Sequence, residues 1–213
     1  FSDDFAVSLD GIDDYLTIPD TNDLSFGDSS FDSAFSISAW IFMEDSEKFR
    51  IISKTVDDDS REWLFTTSSD GKLTFVLYDV EGGWSADYLW VYYDSDLSMY
   101  ENSWVHVAAT YDGTSSSSGM KLYLDGYEVT TTDYSAGMYT AMHNTTGPVN
   151  IGRWERSTPQ YATGRINDVA VWNTELADIS IYALYNSGVP RSLTTDDGDY
   201  TDSTYLVGYW RME

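Results

Sequence analysis

The run Ser103-Trp-Val-His-Val-Ala-Ala-Thr-Tyr-Asp-Gly113, resumed after a polar loop as Lys121-Leu-Tyr-Leu-Asp-Gly126, decides how this chain is read. Trp104, Val105, Val107 and Ala109 form a long, largely apolar strand that ends in a Tyr-Asp-Gly reversal. A strand of that kind belongs in the middle of a sandwich, covered on both faces. Asp125-Gly126 closes a second reversal, because this dipeptide accepts the positive φ angles of a tight hairpin turn. The loop between, residues 112–119, has eight residues rich in Gly, Ser and Thr, too few to link two domains.

Outward from this hairpin the same pattern repeats: short apolar-alternating runs bounded by Gly, Asp, Asn and Ser. Strands are predicted at residues 5–9, 15–18, 35–42, 49–54, 62–67, 72–78, 88–93, 104–111, 120–124, 149–151, 164–172 and 205–211. In residues 35–42, Phe35, Ile37, Ala39 and Ile41 alternate with Ser36, Ser38 and Trp40, which gives one buried and one mixed face. Ser69-Asp70-Gly71-Lys72 marks another hairpin. One helix is expected at residues 175–186, with Leu176, Ile179, Ala183 and Leu184 on one face and Ser187-Gly188 as its stop. It is expected to cap one end of the sandwich. The fold class is therefore all-β, an antiparallel β-sandwich of jelly-roll type, and residues 1–213 read as one domain, a module of a larger surface protein.

Composition narrows the functions. Eleven Lys and Arg against 36 Asp and Glu give a net charge of −25. Nucleic acid is not an expected partner, since a groove that tracks a phosphate backbone needs clustered cations. No apolar run approaches the ~20 residues of a membrane span, so membrane insertion is not expected. Cysteine is absent, which excludes disulfides and thiolate chemistry. Asp outnumbers Glu 27 to 9, a bias that suits turns and oxygen-ligated cations, calcium first among them. The expected localisation is extracellular, secreted or on a cell surface, with any secretion signal upstream of Phe1.

Four segments in order resemble a known family. They are Leu9-Asp-Gly-Ile-Asp-Asp-Tyr-Leu16; Phe35-Ser-Ile-Ser-Ala-Trp40; the run from Ser103 to Gly126 quoted above; and Val149-Asn-Ile-Gly152 with Gly164-Arg-Ile-Asn-Asp-Val-Ala-Val-Trp172. The chain resembles laminin-G-like and pentraxin-like members of the concanavalin A-type lectin/glucanase superfamily. The segment Leu206-Val-Gly-Tyr-Trp-Arg-Met212 resembles the strand that opens such domains, yet here it comes last. That order implies a unit excised from an array or a chain whose first and last strands pair.

The superfamily contains glucanases, but their Glu-x-Asp-x-x-Glu strand, which sets two carboxyl groups about 5–5.5 Å apart for retaining hydrolysis, is missing. His106 and His143 are the only histidines, and His106 lies within a strand, so neither a Ser-His triad nor a multi-histidine metal site is expected. The chain is read as no enzyme. The resemblance implies calcium held by Asp10, the Gly11 carbonyl and Asp168, with Asp13 and Asp14 adding oxygens to the first turn. It also implies a ligand-side loop at Asp57, Asp58 and Asp59. The second ligand loop carries Arg153, Trp154, Glu155 and Arg156 where relatives supply oxygens, so Arg153 and Arg156 are candidates to pair those aspartates or a ligand carboxylate. Tyr88, Trp90 and Tyr92 share one face of a strand by its two-residue period, with Trp84 just before it and Leu89 and Val91 facing the core. Exposed aromatic rings stack on the C–H faces of sugars, so these residues form the expected ligand platform. The reading is a calcium-dependent, carbohydrate-binding adhesion module whose partner is a glycan or surface glycoconjugate. Its alternatives are a structural repeat or self-assembling subunit that pairs with copies of itself or neighbouring modules, and an accessory binding module of a polysaccharide-degrading enzyme.

Overall fold

A computed structural model describes residues 6–58, 60–81 and 87–212. Two antiparallel sheets face each other. The first is built from β1 (Val7–Asp10), β3 (Phe35–Met43), β8 (Trp104–Tyr111), β9 (Met120–Leu124), β10 (Tyr127–Glu128), β15 (Thr163–Trp172) and β16 (Leu206–Trp210). Its strands run in the order β1-β15-β3-β8-β9-β10, with β16 also on β15. The second contains β2 (Leu16–Ile18), β4 (Arg50–Thr55), β5 (Ser60–Thr67), β6 (Leu73–Glu81), β7 (Asp87–Tyr93), β11 (Thr131–Ala136) and β12 (Val149–Ile151), in the order β11-β7-β6-β5-β4-β12-β2. A two-stranded ribbon, β13 (Arg153–Trp154) with β14 (Gln160–Tyr161), rises beside it. The fold is an antiparallel jelly-roll sandwich.

Alternation explains the core. Phe35, Ile37, Ala39 and Ile41 of β3, Val105, Val107 and Ala109 of β8, and Phe65, Phe75, Leu89 and Val91 from the facing sheet belong to one buried apolar cluster. Phe35 lies at the centre of an aromatic knot, stacked on Phe26 at 4.1 Å and edge-on to Phe75 and Tyr111. The turns follow their residues: Gly71 has φ +73° in the β5–β6 hairpin, and Asp125 and Gly126 have φ +49° and +83° between β9 and β10. Positive φ at both positions makes the latter the mirror-image turn that matches strand twist.

The helix α1 (Asp178–Tyr185) is shorter than expected and placed differently. It lies on the outer face of the first sheet, where Ile181, Leu184 and Leu176 pack against Ala108, Tyr123, Ala170 and Trp172. It therefore covers a sheet face and does not cap an end. Starting at Asp178, the helix turns Ile179 outward, 54% exposed, and gives Ile181 the inward position. This cover also buries the second face of β3, where the Ser36 hydroxyl donates to the Thr174 carbonyl and accepts from the Leu176 amide.

The first and last strands do not pair with each other. β1 occupies the Thr163–Ile166 half of the outer edge of β15, and β16 occupies the Val169–Trp172 half. They lie end to end and run in the same direction, meeting where a register irregularity between Asn167 and Ala170 breaks the ladder. Among the described residues, no helix is long and apolar enough to cross a membrane.

Candidate functional site: a groove on the second sheet

The outer face of the second sheet carries a second, smaller apolar cluster. Register places Trp90 beside Val76, Val76 beside Leu64, and Tyr88 beside Tyr78. Trp154, from the β13–β14 ribbon, packs against the same cluster of Leu64, Val76 and Tyr78 as Tyr88 and Trp90 do. The result is a groove of about 390 Å³ floored by β5–β7 and walled by the ribbon. An adjoining hollow of about 490 Å³ continues it past Trp90, Tyr92 and Tyr134 to Thr132 and Asp133.

Tyr88, Trp90 and Tyr92 are half-buried on the outer face, while Leu89 and Val91 are buried in the core. Trp90 and Tyr92 have ring centres 5.2 Å apart at 48°, an angled platform. The indole N–H groups of Trp90 and Trp154 are both buried and without a hydrogen-bond partner among the described residues. Leaving a buried donor unpaired costs about 1–3 kcal/mol, so each marks a position that a ligand or water oxygen can satisfy. The Arg50 and Arg156 guanidiniums lie 5.1 and 4.4 Å from the Trp154 ring centre and fix it by cation–π contact.

The aspartate loop is partly closed by its neighbours. Asp58 accepts hydrogen bonds from the Ser157 hydroxyl at 2.5 Å, the Ser157 amide at 3.2 Å and Arg156 Nε at 3.0 Å. The Ser157 hydroxyl and Arg156 hold its carboxyl down at about 2. Asp57 caps the turn by accepting from the Ser60 amide. Glu155 pairs with Arg153 and does not line the groove. Asp59 and Trp84 lie outside the described residues. Of the expected ligand-side residues, the groove thus brings together Tyr88, Trp90, Trp154 and Arg156, with Tyr92 in the adjoining hollow.

The expected metal set is only partly assembled. Carboxylate oxygens of Asp10, Asp13 and Asp14 lie within 4.8 Å of one another, about twice a calcium–oxygen distance, so one hard cation fits between them. Asp10 is held ionised chiefly by the Ile12 amide, which donates to it at 2.8 Å. Gly11, at φ +74°, permits the turn, since a Cβ there would stand 2.1 Å from the Thr163 hydroxyl. Asp168 does not join this set. Asp10 pairs with Thr163 across the β1–β15 ladder, and Asp168 lies five residues further along β15, about 16 Å away. Its left-handed backbone turns the side chain under the helix, where it accepts from the Tyr209 hydroxyl at 2.8 Å and lies 3.7 Å from Arg211.

One contact chain lay beyond sequence reasoning. The Ser29 hydroxyl is 2.9 Å from His143 Nδ1, and His143 Nε2 is 3.1 Å from Asp79. The residue types match a hydrolytic triad, but the amides of Ser30 and Phe31 both donate to Asp28, and that of Ser29 donates to the Met142 carbonyl. The three consecutive amides of Ser29, Ser30 and Phe31 are thus engaged and do not form an oxyanion pocket beside the Ser29 hydroxyl. The chain pins the segment around His143 to the Ser29 turn and to β6. With Asp32, which accepts from Tyr111, Tyr139 and the Met142 amide, it fixes that long connection.

A two-sheet jelly roll with an aromatic groove on one outer face is a lectin-type sandwich. A laminin-G family model, described as concanavalin A-like lectin/glucanases superfamily, matches residues 10–181, and the chain belongs to that family. No curated protein matches in sequence. Among solved structures, a putative carbohydrate binding protein from Bacteroides ovatus is similar over 97% of this chain and 52% of its own, with a TM-score of 0.56 at 16% identity. The binding domain of botulinum neurotoxin serotype G is similar over 88% of this chain and 48% of its own, at 0.55 and 16%. A heptameric SAP-like pentraxin from Limulus polyphemus covers 79% of this chain and 80% of its own, at 0.49 and 18%. This chain thus spans about half the length of the first two. At these identities the likeness concerns the fold.

Proposed function

We propose that this chain is a non-catalytic carbohydrate-binding module, and that the glycan lies in the groove on the second sheet. The observation that carries the reading is the pair of buried indole donors of Trp90 and Trp154, unpartnered among the described residues, on the wall of one groove, each beside an aromatic or cationic neighbour. Sugars offer the complementary chemistry: hydroxyl oxygens for the indole N–H groups and apolar C–H faces for the rings. The likeness in fold to the putative carbohydrate binding protein from Bacteroides ovatus supports this assignment. Calcium is assigned to the Asp10-Asp13-Asp14 turn, where it neutralises three clustered carboxylates and stiffens the β1–β2 connection. The module is assigned to the extracellular or cell-surface space, where free calcium is abundant and glycoconjugates are exposed.

The test is a glycan panel probed with the wild-type protein, with tryptophan fluorescence read during titration of any retained sugar. Retention of a glycan with a saturable fluorescence change, lost in Trp154→Ala, is the expected outcome. A protein that retains no glycan with calcium present, and instead forms dimers or fibres, refutes the reading in favour of a structural subunit.

A further inference from the structure

The charge of the groove is opposite to that of the molecule. Acidic residues outnumber basic ones 36 to 11 along the chain, so a wall of sixteen residues drawn at random would hold about two or three carboxylates and about one cation. The wall of the 390 Å³ groove holds Lys48, Arg50, Arg61 and Arg156 and, among the described residues, no carboxylate.

Three of these cations gather on two rings of one cluster, Tyr78 and Trp154, and Arg156 among them is paired with Asp58 at 3.0 Å. Arg61 lies 4.8 Å from the Tyr78 ring centre, and Arg50 and Arg156 bracket Trp154 next to it. Arg50 is only 4% exposed, and its guanidinium is held by neutral groups: the Thr66 hydroxyl at 2.7 Å, the Thr67 carbonyl at 3.1 Å and the Gln160 side chain. Among the described residues, neither its Nε nor that of Arg61 has a hydrogen-bond partner. Among the described residues no carboxylate lies within ion-pair reach of Arg50 or Arg61. Burial, and then the adjacent Arg156 charge, pull Arg50 down to about 10. A buried cation without a counter-charge is costly, and an incoming anion relieves that cost. Guanidinium forks match planar carboxylates and similar oxyanions by paired N–H donors.

We infer that the glycan bound by this groove is acidic, with a carboxylate or sulfate ester seated among Arg50, Arg61 and Arg156 and a neutral sugar ring on the Trp90–Tyr92 platform. This rests on the carbohydrate-binding reading and adds the chemical class of the sugar. The negative charge elsewhere repels densely charged polyanions, although screening over about 8 Å at physiological salt confines that repulsion. The favoured ligand therefore carries sparse acidic units between neutral ones.

The experiment measures affinity by calorimetry for uronate-containing oligosaccharides, for the same oligosaccharides after carboxyl reduction, and for sulfated neutral counterparts, all at physiological salt. A charge-assisted hydrogen-bond pair predicts that an acidic form, uronate or sulfate, binds about tenfold or more tightly than its uncharged partner. Which acidic form prevails identifies the anion. Arg50→Gln should collapse that ratio toward one. If its melting temperature shows that loss of the Thr66 and Gln160 contacts unfolds it, Arg61→Gln supplies the same comparison. Equal affinity for charged and uncharged sugars, or preference for the neutral ones, overturns this inference and leaves the carbohydrate reading standing. No measurable binding of any of them refutes both.

Discussion

Replacing Trp90 by alanine separates a binding ring from a structural one. The ring is half-buried, packed against the cluster of Leu64, Val76 and Tyr78 on the outside of the sheet, with its neighbours Leu89 and Val91 in the core. Full truncation of a core tryptophan costs about 3–5 kcal/mol; at about half that burial, roughly 2 kcal/mol is expected. In a domain of this size, that amounts to a fall in melting temperature of about 4–8 °C. Binding loses more than the fold does. Removal of the stacking face and of one N–H donor each takes about 0.5–1.5 kcal/mol, so affinity should weaken about 5-fold to 150-fold. Trp90→Phe keeps a ring without the donor and should fall between. The assay is calorimetric titration of the retained glycan beside a thermal melt of the same preparation. Unchanged affinity at the expected melting temperature would show that the sugar does not touch this ring. A melting temperature lowered by more than about 15 °C would mean that Trp90 is core, and the assignment of the groove floor would be wrong.

Calcium at a hundredfold excess over its dissociation constant should add about 2.7 kcal/mol of stability, and Asp13→Asn should remove most of that gain in a melt with and without chelator. Burial lowers His106 from 6.5 to about 3, so the unfolded chain binds this proton first. Its contribution is complete above pH ~7 and lost as pH falls from about 6.5 toward 3; denaturant midpoints at pH 7, 5.5 and 4 should fall less in His106→Phe than in the wild type. Asp58, at about 2, has the depressed-carboxylate sign: its stabilisation is present above pH ~4 and is lost as pH falls toward 2. Arg156→Gln should raise the pH at which this carboxyl ionises in an NMR titration. Sodium chloride raised from low to physiological concentration should increase the melting temperature without calcium, because it screens 25 uncompensated charges; a flat profile would mean that they are already neutralised.

The strands were legible where burial imposes a period. β3, β8 and β7 alternate because one side meets the core, so Leu89 and Val91 could be assigned inward and Trp90 outward from sequence. Every strand read from the sequence is found, those at 104–111, 120–124 and 149–151 with the expected bounds and the others with shifted ends. β11 was missed because Thr131–Ala136 is mostly exposed at a sheet edge and shows no apolar alternation. Register between strands distant in sequence leaves no local signal, which is why Asp168 was joined to Asp10 across a ladder that holds them apart. The same blindness hid the buried Lys54, whose partners Asp20 and Glu62 come from a loop and a neighbouring strand. Trp154 and Arg156 were picked out as ligand residues, but their approach to Trp90 depends on how the β13–β14 ribbon folds over the sheet. The cationic character of the groove was obscured by composition, since Lys48, Arg50 and Arg61 along one hairpin and Arg156 beside the ribbon disappear in a chain with a charge of −25.

The placement of β1 and β16 end to end on β15 has a mechanical meaning. Tension applied to the chain at Val7 and Trp210 would pull on two strand ends that meet at one point of a sheet edge. Each strand would then peel away from that point, with its ladder hydrogen bonds loaded one after another and never together in shear. Such a module yields at low force by opening like a zipper from the Asn167–Asp168 irregularity, while the groove on the opposite sheet stays intact. In an array under pull, it would lengthen before a ligand held in that groove was released.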